Sequence, residues 1–360
     1  MKISIGSNII KGPWGGGNQF AINLSNYLKN RGWEVKTDLK DRDIDIILMT
    51  EPRKYSSSGN YNQLGISKYL ILNPRSLVIH RINNCDKGRD TRNLNKYLTR
   101  ANKVADSTIF ISNYLKNIFI NGELIKNKNF TVVMNGADSK LFNKINRKRW
   151  NKKDKLKIVT HHWSNNYNKG FDIYKELDRI SLLGVNSTGI DFCYIGNIPE
   201  NFRFKNTKII PPLKLEELVR EIKKNHVYIT AAKGEGAGMH HIEAALCGLP
   251  ILYRNSGALP EYCKGFGVIF EDTSDFKDKL NEIIEKYDYY FSKMKEYPYN
   301  ANLMCQRYES VFLELLRSKY KLNKNKRRFE YLIIFLKETF LCIRDITLNK
   351  LKRLTERVFK

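Results

Sequence analysis

Short apolar runs alternate with stretches of helical spacing along the first part of the chain. Residues 2–6 alternate like a short strand, a glycine-rich loop follows at residues 11–17, and apolar positions at helical spacing run through residues 20–28 and stop before Gly32. Strand, glycine loop, helix and strand in this order open a βαβ unit, so the pattern predicts a parallel sheet. Further strands are predicted at residues 34–37, 44–49, 76–80, 107–111 and 130–134.

The pattern breaks at residues 143–154, which are rich in Lys and Arg and have almost no apolar periodicity, so they are predicted to form a linker. After it the alternation restarts. Two doubly wound α/β domains in tandem, at residues 1–150 and 151–301, are the simplest account. In the second half, strands are predicted at residues 157–161, 191–195, 208–210, 227–231 and 250–253, and helices at 170–182, 214–224 and 239–247.

The end of the chain has a different pattern. Residues 302–320 are predicted to form an amphipathic helix that crosses back to the N-terminal domain, and residues 321–360 a basic amphipathic tail. From Lys319 onward the chain has 13 basic and 4 acidic side chains. The pattern is typical of a helix that lies on an anionic membrane surface, and we expect that role; the alternative is a helix packed on the body with a solvated basic face. The apolar positions of the tail are Phe329, Leu332, Ile333, Leu336, Phe340, Ile343, Leu351, Leu354 and Val358.

The composition narrows the class of protein. With 63 basic and 37 acidic residues the formal net charge is +26, which favours a polyanionic partner. The sequence is also rich in Lys and Asn, and a compositional bias of the source genome would raise both residue types without any such partner. No nucleic-acid module is recognised and the basic residues lack regular aromatic interleaving, so no specific nucleic acid is expected. The longest unbroken apolar stretch, residues 331–336, is far shorter than the roughly 18 residues of a membrane span.

The cysteines and the N-terminus bear on the compartment. The six cysteines are scattered without a Cys-x-x-Cys pair, which argues against a disulfide framework or a structural zinc site and fits a reducing cytoplasm. The first residues are patterned like a strand, so no secretory signal is expected. We therefore expect a cytoplasmic protein, peripheral on the inner face of the membrane.

The segment from Ala232 to Pro250 carries the most chemical information. It is a glycine-rich turn after a predicted strand and before a predicted helix, so its backbone can approach a ligand and the helix N-terminus can offer N–H groups to a phosphate. Glu243 falls one turn into the helix, and Glu235 lies in the loop eight positions earlier. Two carboxylates so placed can reach hydroxyl groups at two points of one extended ligand. An isolated pair at this spacing is also typical of an ordinary turn followed by a solvated helix charge.

This segment, followed by Gly257-Ala-Leu-Pro-Glu261, resembles the retaining glycosyltransferases of the GT-B fold, of the large family 4 type known as bacterial glycosyl transferases group 1. The resemblance covers about residues 1–318. It implies two Rossmann-like domains facing a cleft. Four further blocks match in the family's order: Gly15-Gly-Gly-Asn-Gln-Phe, Asp106-Ser-Thr-Ile-Phe-Ile-Ser-Asn-Tyr-Leu, Val132-Val-Met-Asn-Gly-Ala-Asp and Lys169-Gly.

The resemblance also implies roles for single residues. Glu243 would bind the ribose hydroxyls of a nucleotide-sugar donor, Glu235 would lie beside the transferred sugar, and Lys169 would neutralise the diphosphate. His80 stands where the family places a histidine near the donor sugar, although a lone strand histidine is more often structural. The glycine-loop residues expected near the phosphates and the sugar are Gly16, Gly17, Gly236, Ala237, Gly238 and Met239.

One part of the family pattern is missing. Members usually carry an Arg a few residues before the Lys-Gly pair, and none occurs in residues 160–169. Three explanations are open: Arg81 or Lys233 replaces the positive charge of this Arg, a histidine contributes part of it, or donor binding is weakened. For Lys233, the alternative of a solvent-facing loop lysine has equal weight. The pairs His161-His162 and His240-His241 and the absence of an Asp-x-Asp motif give no basis for a metal site, so no metal or other cofactor is expected.

The implied reaction moves a sugar, with retention, from a nucleotide-sugar donor to a saccharide or lipid-linked acceptor, in bacterial surface polysaccharide or lipopolysaccharide synthesis. The leaving diphosphate would help to deprotonate the acceptor hydroxyl on the same face of the sugar. Two other readings stay open. A GT-B-like protein can be a phosphorylase or an epimerase, although no lysine is placed for a pyridoxal cofactor. The charge alone is also compatible with a non-enzymatic polyanion-binding protein.

Overall fold

The computed structural model describes residues 1–10, 12, 15–53, 56–183, 189–317 and 322–358, which form two α/β domains, each built on a six-stranded sheet. All strand pairs are parallel, and the sheet orders are β2-β1-β3-β4-β5-β6 and β12-β11-β10-β7-β8-β9. The strands are β1 (Lys2–Ile5), β2 (Glu34–Lys36), β3 (Ile46–Met49), β4 (Leu77–Ile82), β5 (Ser107–Phe110), β6 (Phe130–Val132), β7 (Leu156–His162), β8 (Ile190–Gly196), β9 (Lys208–Ile210), β10 (Val227–Thr230), β11 (Ile251–Arg254) and β12 (Gly267–Phe270).

Helices cover the sheets, as buried parallel sheets require. The longer helices of the N-terminal domain are α1 (Gly16–Asn30), α2 (Gln63–Leu72) and α4 (Leu94–Ala101), with single turns at α3 (Asp86–Arg89) and α5 (Asn113–Lys116). The C-terminal domain has α6 (Phe171–Leu183), α7 (Leu215–Lys223), α8 (Met239–Leu246), α9 (Leu259–Cys263), α10 (Phe276–Glu285) and α11 (Tyr287–Lys293), and the chain ends with α12 (Ala301–Arg317) and α13 (Lys324–Val358).

Helix α1 begins at Gly16, four residues before the first residue of its apolar pattern. Glycine is a poor helix former and adds no apolar side chain, so the first turn leaves no signal in the sequence. From Phe20 onward the apolar face packs under the sheet with Leu24 and Leu28, all three fully buried.

The last two helices pack on the N-terminal domain. In α12, Met304, Tyr308 and Phe312 are buried in one cluster with Ile3 and Phe20. Helix α13 runs along α2, and Tyr331 enters the core on that side. Residues 318–320 of the predicted crossing helix and residues 321 and 359–360 of the predicted tail lie outside the described residues, as do the side chains of Leu351, Leu354 and Val358. Within the described ranges, no helix combines the length and apolar character that a membrane crossing needs.

Each sheet has a point where the strand order reverses, between β1 and β3 in the first domain and between β7 and β10 in the second. Ligands of doubly wound sheets bind outside the carboxyl ends of the strands at such points. The end of β8 and the chain segments that follow β1, β4, β7 and β10 all reach one cleft between the two domains.

Candidate active site

The cleft has an empty volume of about 1420 Å³, including its solvent-filled mouth, and both domains line it. Of the twelve residues expected at the site, nine lie on its wall. These are Gly16, Gly17, Arg81, Lys169, Glu235, Ala237, Gly238, Met239 and Glu243.

Glu235 and Lys169 form an ion pair in the wall of the cleft. The Nζ atom of Lys169 lies 2.7 Å from Oε2 of Glu235, and the Glu235 side chain is 9% exposed. Burial alone would raise the pKa of Glu235, but the charge and hydrogen bond of Lys169 outweigh it, and the pKa is lowered overall. The cleft therefore holds an ionised carboxylate beside a cation.

The glycine after Lys169 fixes where that lysine stands. Gly170 has a φ of +107°, and a Cβ built there would lie 2.7 Å from the backbone carbon of Ala231. Only glycine fits a left-handed turn so close to the next strand connection. The Lys-Gly pair thus places Lys169 against the loop that carries Glu235.

Glu243 lies inside α8, with its carboxylate bonded to a histidine of β7. The Nε2 atom of His161 is 2.8 Å from Oε2 of Glu243, and Nδ1 of the same ring is 3.2 Å from the hydroxyl of Tyr228 on β10. One carboxylate oxygen is therefore bonded to His161, and Tyr228 on a third element holds the histidine ring. The Glu243 side chain is 8% exposed and lines the cleft.

The other three histidines of the two pairs lie close together, with His162 and His240 on the cleft wall and His241 behind His240. His162 bonds the Tyr174 hydroxyl at 2.7 Å, and His240 bonds Thr230 Oγ1 at 2.9 Å. Burial lowers the pKa of each of the three rings, to about 4 for His241. Within the described residues, no group of three or more His, Cys, Asp or Glu side chains is arranged to hold a metal ion.

The N-terminal ends of α1 and α8 meet across the cleft. A Cβ built on Gly16 would overlap Cγ of Met239, whereas one built on Gly17 would meet no atom of the described residues within 4 Å. The N-cap residues of the two helices, Gly15 and Gly238, have no side chain that could cap the first turn. Uncapped N–H groups at two facing helix ends favour an anion between them.

Arg81 adds a buried cation to the N-terminal wall. Its guanidinium lies over the ring of Phe20 and donates to the hydroxyl of Tyr308 and to Oδ1 of Asn135, at 3.1 and 3.0 Å. No carboxylate of the described residues pairs with it. Its position makes it the better candidate of the two expected replacements for the missing Arg.

Three expected residues do not reach the cleft. His80 is fully buried on the sheet face opposite Arg81, where its Nδ1 lies 3.1 Å from the amide nitrogen of Asn102. Lys233 turns outward and pairs with Asp172 at 2.9 Å. Gly236 packs against the first domain, and its carbonyl accepts the hydroxyl of Ser112 at 2.9 Å. His80, Lys233 and Gly236 are therefore not among the residues that line the cleft in this structure.

The two domains are joined beside the site by hydrogen bonds. Asn135 donates to the carbonyl of Ala237 at 2.9 Å, and Glu261 accepts the backbone N–H groups of Asn113 and Tyr114 at 2.7 and 2.6 Å. Ala237 itself has a φ of 135°, a backbone conformation that residues other than glycine rarely adopt. These contacts fix the position of the Glu235 loop relative to the N-terminal domain.

The wall also holds residues to which the sequence assigns no single role, among them Asn83, Arg89 and Asn135. His161, which the sequence presents only as one of the histidines beside the missing Arg and as half of a His-His pair, also lies on the wall. Asn135 lies inside the matching block that closes the first domain, which is the signal that points to it.

Residues 201–302 match the family Glycosyl transferases group 1. No curated protein matches the chain in sequence. The matched region contains Glu235, Glu243 and Glu261 and the strands and helices that carry them. It supports the sequence-based resemblance to this family for the second domain.

Solved structures extend the likeness to both domains. Sucrose-phosphate synthase from Thermosynechococcus elongatus matches with a TM-score of 0.61 at 12% identity, over 88% of this chain and 98% of that one. A glycosyltransferase from Rickettsia africae ESF-5 gives 0.62 at 13% identity, over 88% and 98%. HepE of Anabaena, solved with UDP and glucose, gives 0.61 at 12% identity, over 87% and 100%. The chain has the GT-B fold, and the predicted fold class is confirmed.

Proposed function

We propose that the protein is a retaining glycosyltransferase that takes a sugar from a nucleotide-sugar donor bound in the cleft. The observation that carries this proposal is the meeting of Glu235, Lys169 and Glu243 in one cleft beside two uncapped helix N-termini. An elongated ligand with a ribose at one end, a diphosphate in the middle and a sugar at the other end matches these groups in order.

In this proposal the diphosphate lies between the ends of α1 and α8 and competes with Glu235 for the Lys169 ammonium. As the bond between the anomeric carbon and the leaving phosphate oxygen breaks, negative charge gathers on the diphosphate, and Lys169, Arg81 and the free N–H groups stabilise it. The diphosphate oxygen takes the proton of the acceptor hydroxyl while the acceptor oxygen bonds to the anomeric carbon on the same face. Glu235, kept ionised, stabilises the positive charge of the sugar.

The acceptor is a saccharide or a lipid-linked saccharide at the inner face of the membrane, and the reaction belongs to bacterial surface polysaccharide or lipopolysaccharide synthesis. The basic C-terminal tail supports a membrane-held acceptor. HepE was solved with UDP-glucose, so UDP-sugars are the first donors to test. No metal enters the reaction, because Lys169, Arg81 and the helix ends supply positive charge.

The test is donor cleavage with water as the acceptor, measured in EDTA with UDP-, GDP-, ADP-, CMP- and dTDP-sugars. We expect slow release of the sugar from one donor class, with the anomeric configuration retained in a proton NMR time course. Glu235→Gln should abolish the release. The matched control is Glu309→Gln, which alters a buried carboxylate held by Trp33 and Tyr27 outside the cleft.

Each other outcome has a defined meaning. Release of the inverted anomer would contradict retention. Cleavage that depends on inorganic phosphate would identify a phosphorylase instead. No release from any donor, by a protein that also binds none of them, would overturn the proposal.

A further inference from the structure

One face of α13 is apolar and exposed. Phe329, Leu336, Phe340 and Ile343 are 64%, 58%, 67% and 59% exposed. Together with Leu332 and Ile333 they recur every three or four residues and therefore share one face of the helix, here called the outer face. A contiguous apolar strip of this kind on a protein surface marks an interaction site.

The opposite face of α13 is fixed to the N-terminal domain. Arg327 forms an ion pair with Asp106 and donates to the carbonyl of Pro74 at 2.9 Å. Further along the helix, the Glu338 carboxylate accepts hydrogen bonds from Arg100 and from the Gln63 amide, at 2.8 and 3.0 Å. These anchors lie about three turns apart, so they set both the position and the rotation of the helix. The outer face is therefore held pointing away from the domain.

Basic side chains run along one flank of the outer face. Lys326, Lys337 and Arg344 fall beside the strip at helical spacing and are exposed. One exposed carboxylate, Glu330, also stands next to this flank, whereas Glu338 is turned into the body. A long lysine or arginine beside an apolar strip can reach lipid phosphates while the strip enters the acyl boundary.

We propose that the outer face of α13 lies flat on a bilayer that contains anionic phospholipids. Antiparallel pairing with a second copy of the chain fits the face less well, because it would bring the two basic flanks together. The helix would lie in the plane of the interface, since it is not apolar enough to cross. This inference rests on the proposed function in one point only: the membrane would carry the acceptor that the cleft uses.

The test is co-sedimentation of the full chain with vesicles of phosphatidylcholine and phosphatidylglycerol in equal parts, and with vesicles of phosphatidylcholine alone. We expect the wild type to prefer the anionic vesicles and the triple variant Phe329→Ser, Leu336→Ser, Phe340→Ser to lose at least about tenfold in binding to them. UDP binding by the same proteins is measured alongside by calorimetry.

A matched control removes three apolar side chains of similar exposure elsewhere. Ile145, Leu182 and Ile209 are 68%, 53% and 45% exposed, and their change to Ser should leave vesicle binding intact. Equal vesicle binding by wild type and the α13 variant would overturn the proposal. So would a wild type that is dimeric without lipid and a variant that is monomeric in sedimentation velocity. Because UDP binding is read separately, failure of the proposed function leaves the lipid result interpretable.

Discussion

The Nε2 atom of His161 lies 2.8 Å from Oε2 of Glu243, a contact between residues 82 positions apart in the chain. The hydroxyl of Tyr228 lies beside the other ring nitrogen, so the imidazole is held between a hydroxyl and the carboxylate. Oε2 of Glu243 is bonded to His161, and the proposed function gives its Oε1 atom to a ribose hydroxyl of the donor. In the proposed function His161 is a positioning residue for the ribose-binding carboxylate.

Removing this contact should weaken nucleotide binding. We expect His161→Ala to reduce the affinity for the nucleoside diphosphate that the wild type binds best by roughly tenfold, because a hydrogen bond to a charged group is lost. His161→Gln keeps a donor and should recover most of the affinity. Isothermal titration calorimetry gives both values.

The control is His226→Ala. That ring is also buried, at the opposite end of the sheet, where it accepts from the backbone N–H of Lys157 at 3.1 Å. If His226→Ala weakens binding as much as His161→Ala, or if His161→Gln recovers nothing, the positioning role is wrong.

Lys169 and Lys233 provide a matched pair of lysines, each in an ion pair with a carboxylate, of which only Lys169 lines the cleft. Lys169→Ala should lower the rate of donor cleavage by about 100-fold, since it removes a cation placed where negative charge develops. Lys233→Ala should change the rate by no more than about twofold, because its partner Asp172 keeps Arg254. Equal losses in the two variants would contradict the assigned role.

Gly16 and Gly17 differ in the space around them. A Cβ at Gly16 would overlap Cβ and Cγ of Met239, which are not the free end of that side chain, so Gly16→Ala should push α1 and α8 apart and destabilise the fold by about 1–3 kcal/mol. A Cβ at Gly17 meets no atom of the described part of the chain, so Gly17→Ala should be neutral or stabilising by up to about 1 kcal/mol, as expected of alanine in a helix. Urea unfolding measures both, and similar values for the two variants would refute the close approach.

The buried ring of His241 predicts a pH dependence of stability. Burial lowers the pKa of His241 to about 4 in the folded chain, whereas the pKa of a histidine in the unfolded chain is near 6.5. Between pH 6.5 and pH 4 the unfolded chain therefore binds a proton that the folded chain does not. Stability is therefore full above about pH 6.5 and falls as the pH drops towards 4. Between pH 7 and pH 5 His241 contributes a loss of about 2 kcal/mol.

His241→Gln removes this titration, so its free energy of unfolding should depend less steeply on pH than that of the wild type. Urea unfolding at pH 7 and pH 5 gives the two differences. The same slope in both proteins would mean that His241 is protonated in the folded state at pH 5.

The alternation of strands and helices, and the carboxylates and lysine of the cleft, could be read from the sequence. Glu235, Glu243 and Lys169 stand in continuous motifs whose backbone path is local. The contacts of His161 with Glu243 and of Asn135 with Ala237 could not be read, because they join distant segments only after two sheets have formed.

The choice between His80 and Arg81 shows a different limit. Neighbouring residues of a strand point to opposite faces, but all six residues of β4 are buried, so the apolar pattern does not tell which face meets the cleft. The structure turns Arg81 towards it and His80 away. For Lys233, which lies in the loop after β10, the deciding feature is Asp172 in α6, which pairs with the lysine outside the cleft.

The most direct test of the proposed donor site is calorimetric titration of wild type, Glu243→Gln and Glu309→Gln with a panel of UDP-, GDP-, ADP-, CMP- and dTDP-sugars in EDTA. We predict that the wild type and Glu309→Gln bind one donor class with equal affinity, and that Glu243→Gln binds it at least about tenfold more weakly at an unchanged melting temperature. A melting temperature that falls while nucleotide affinity stays the same would contradict the assignment of Glu243 to the donor.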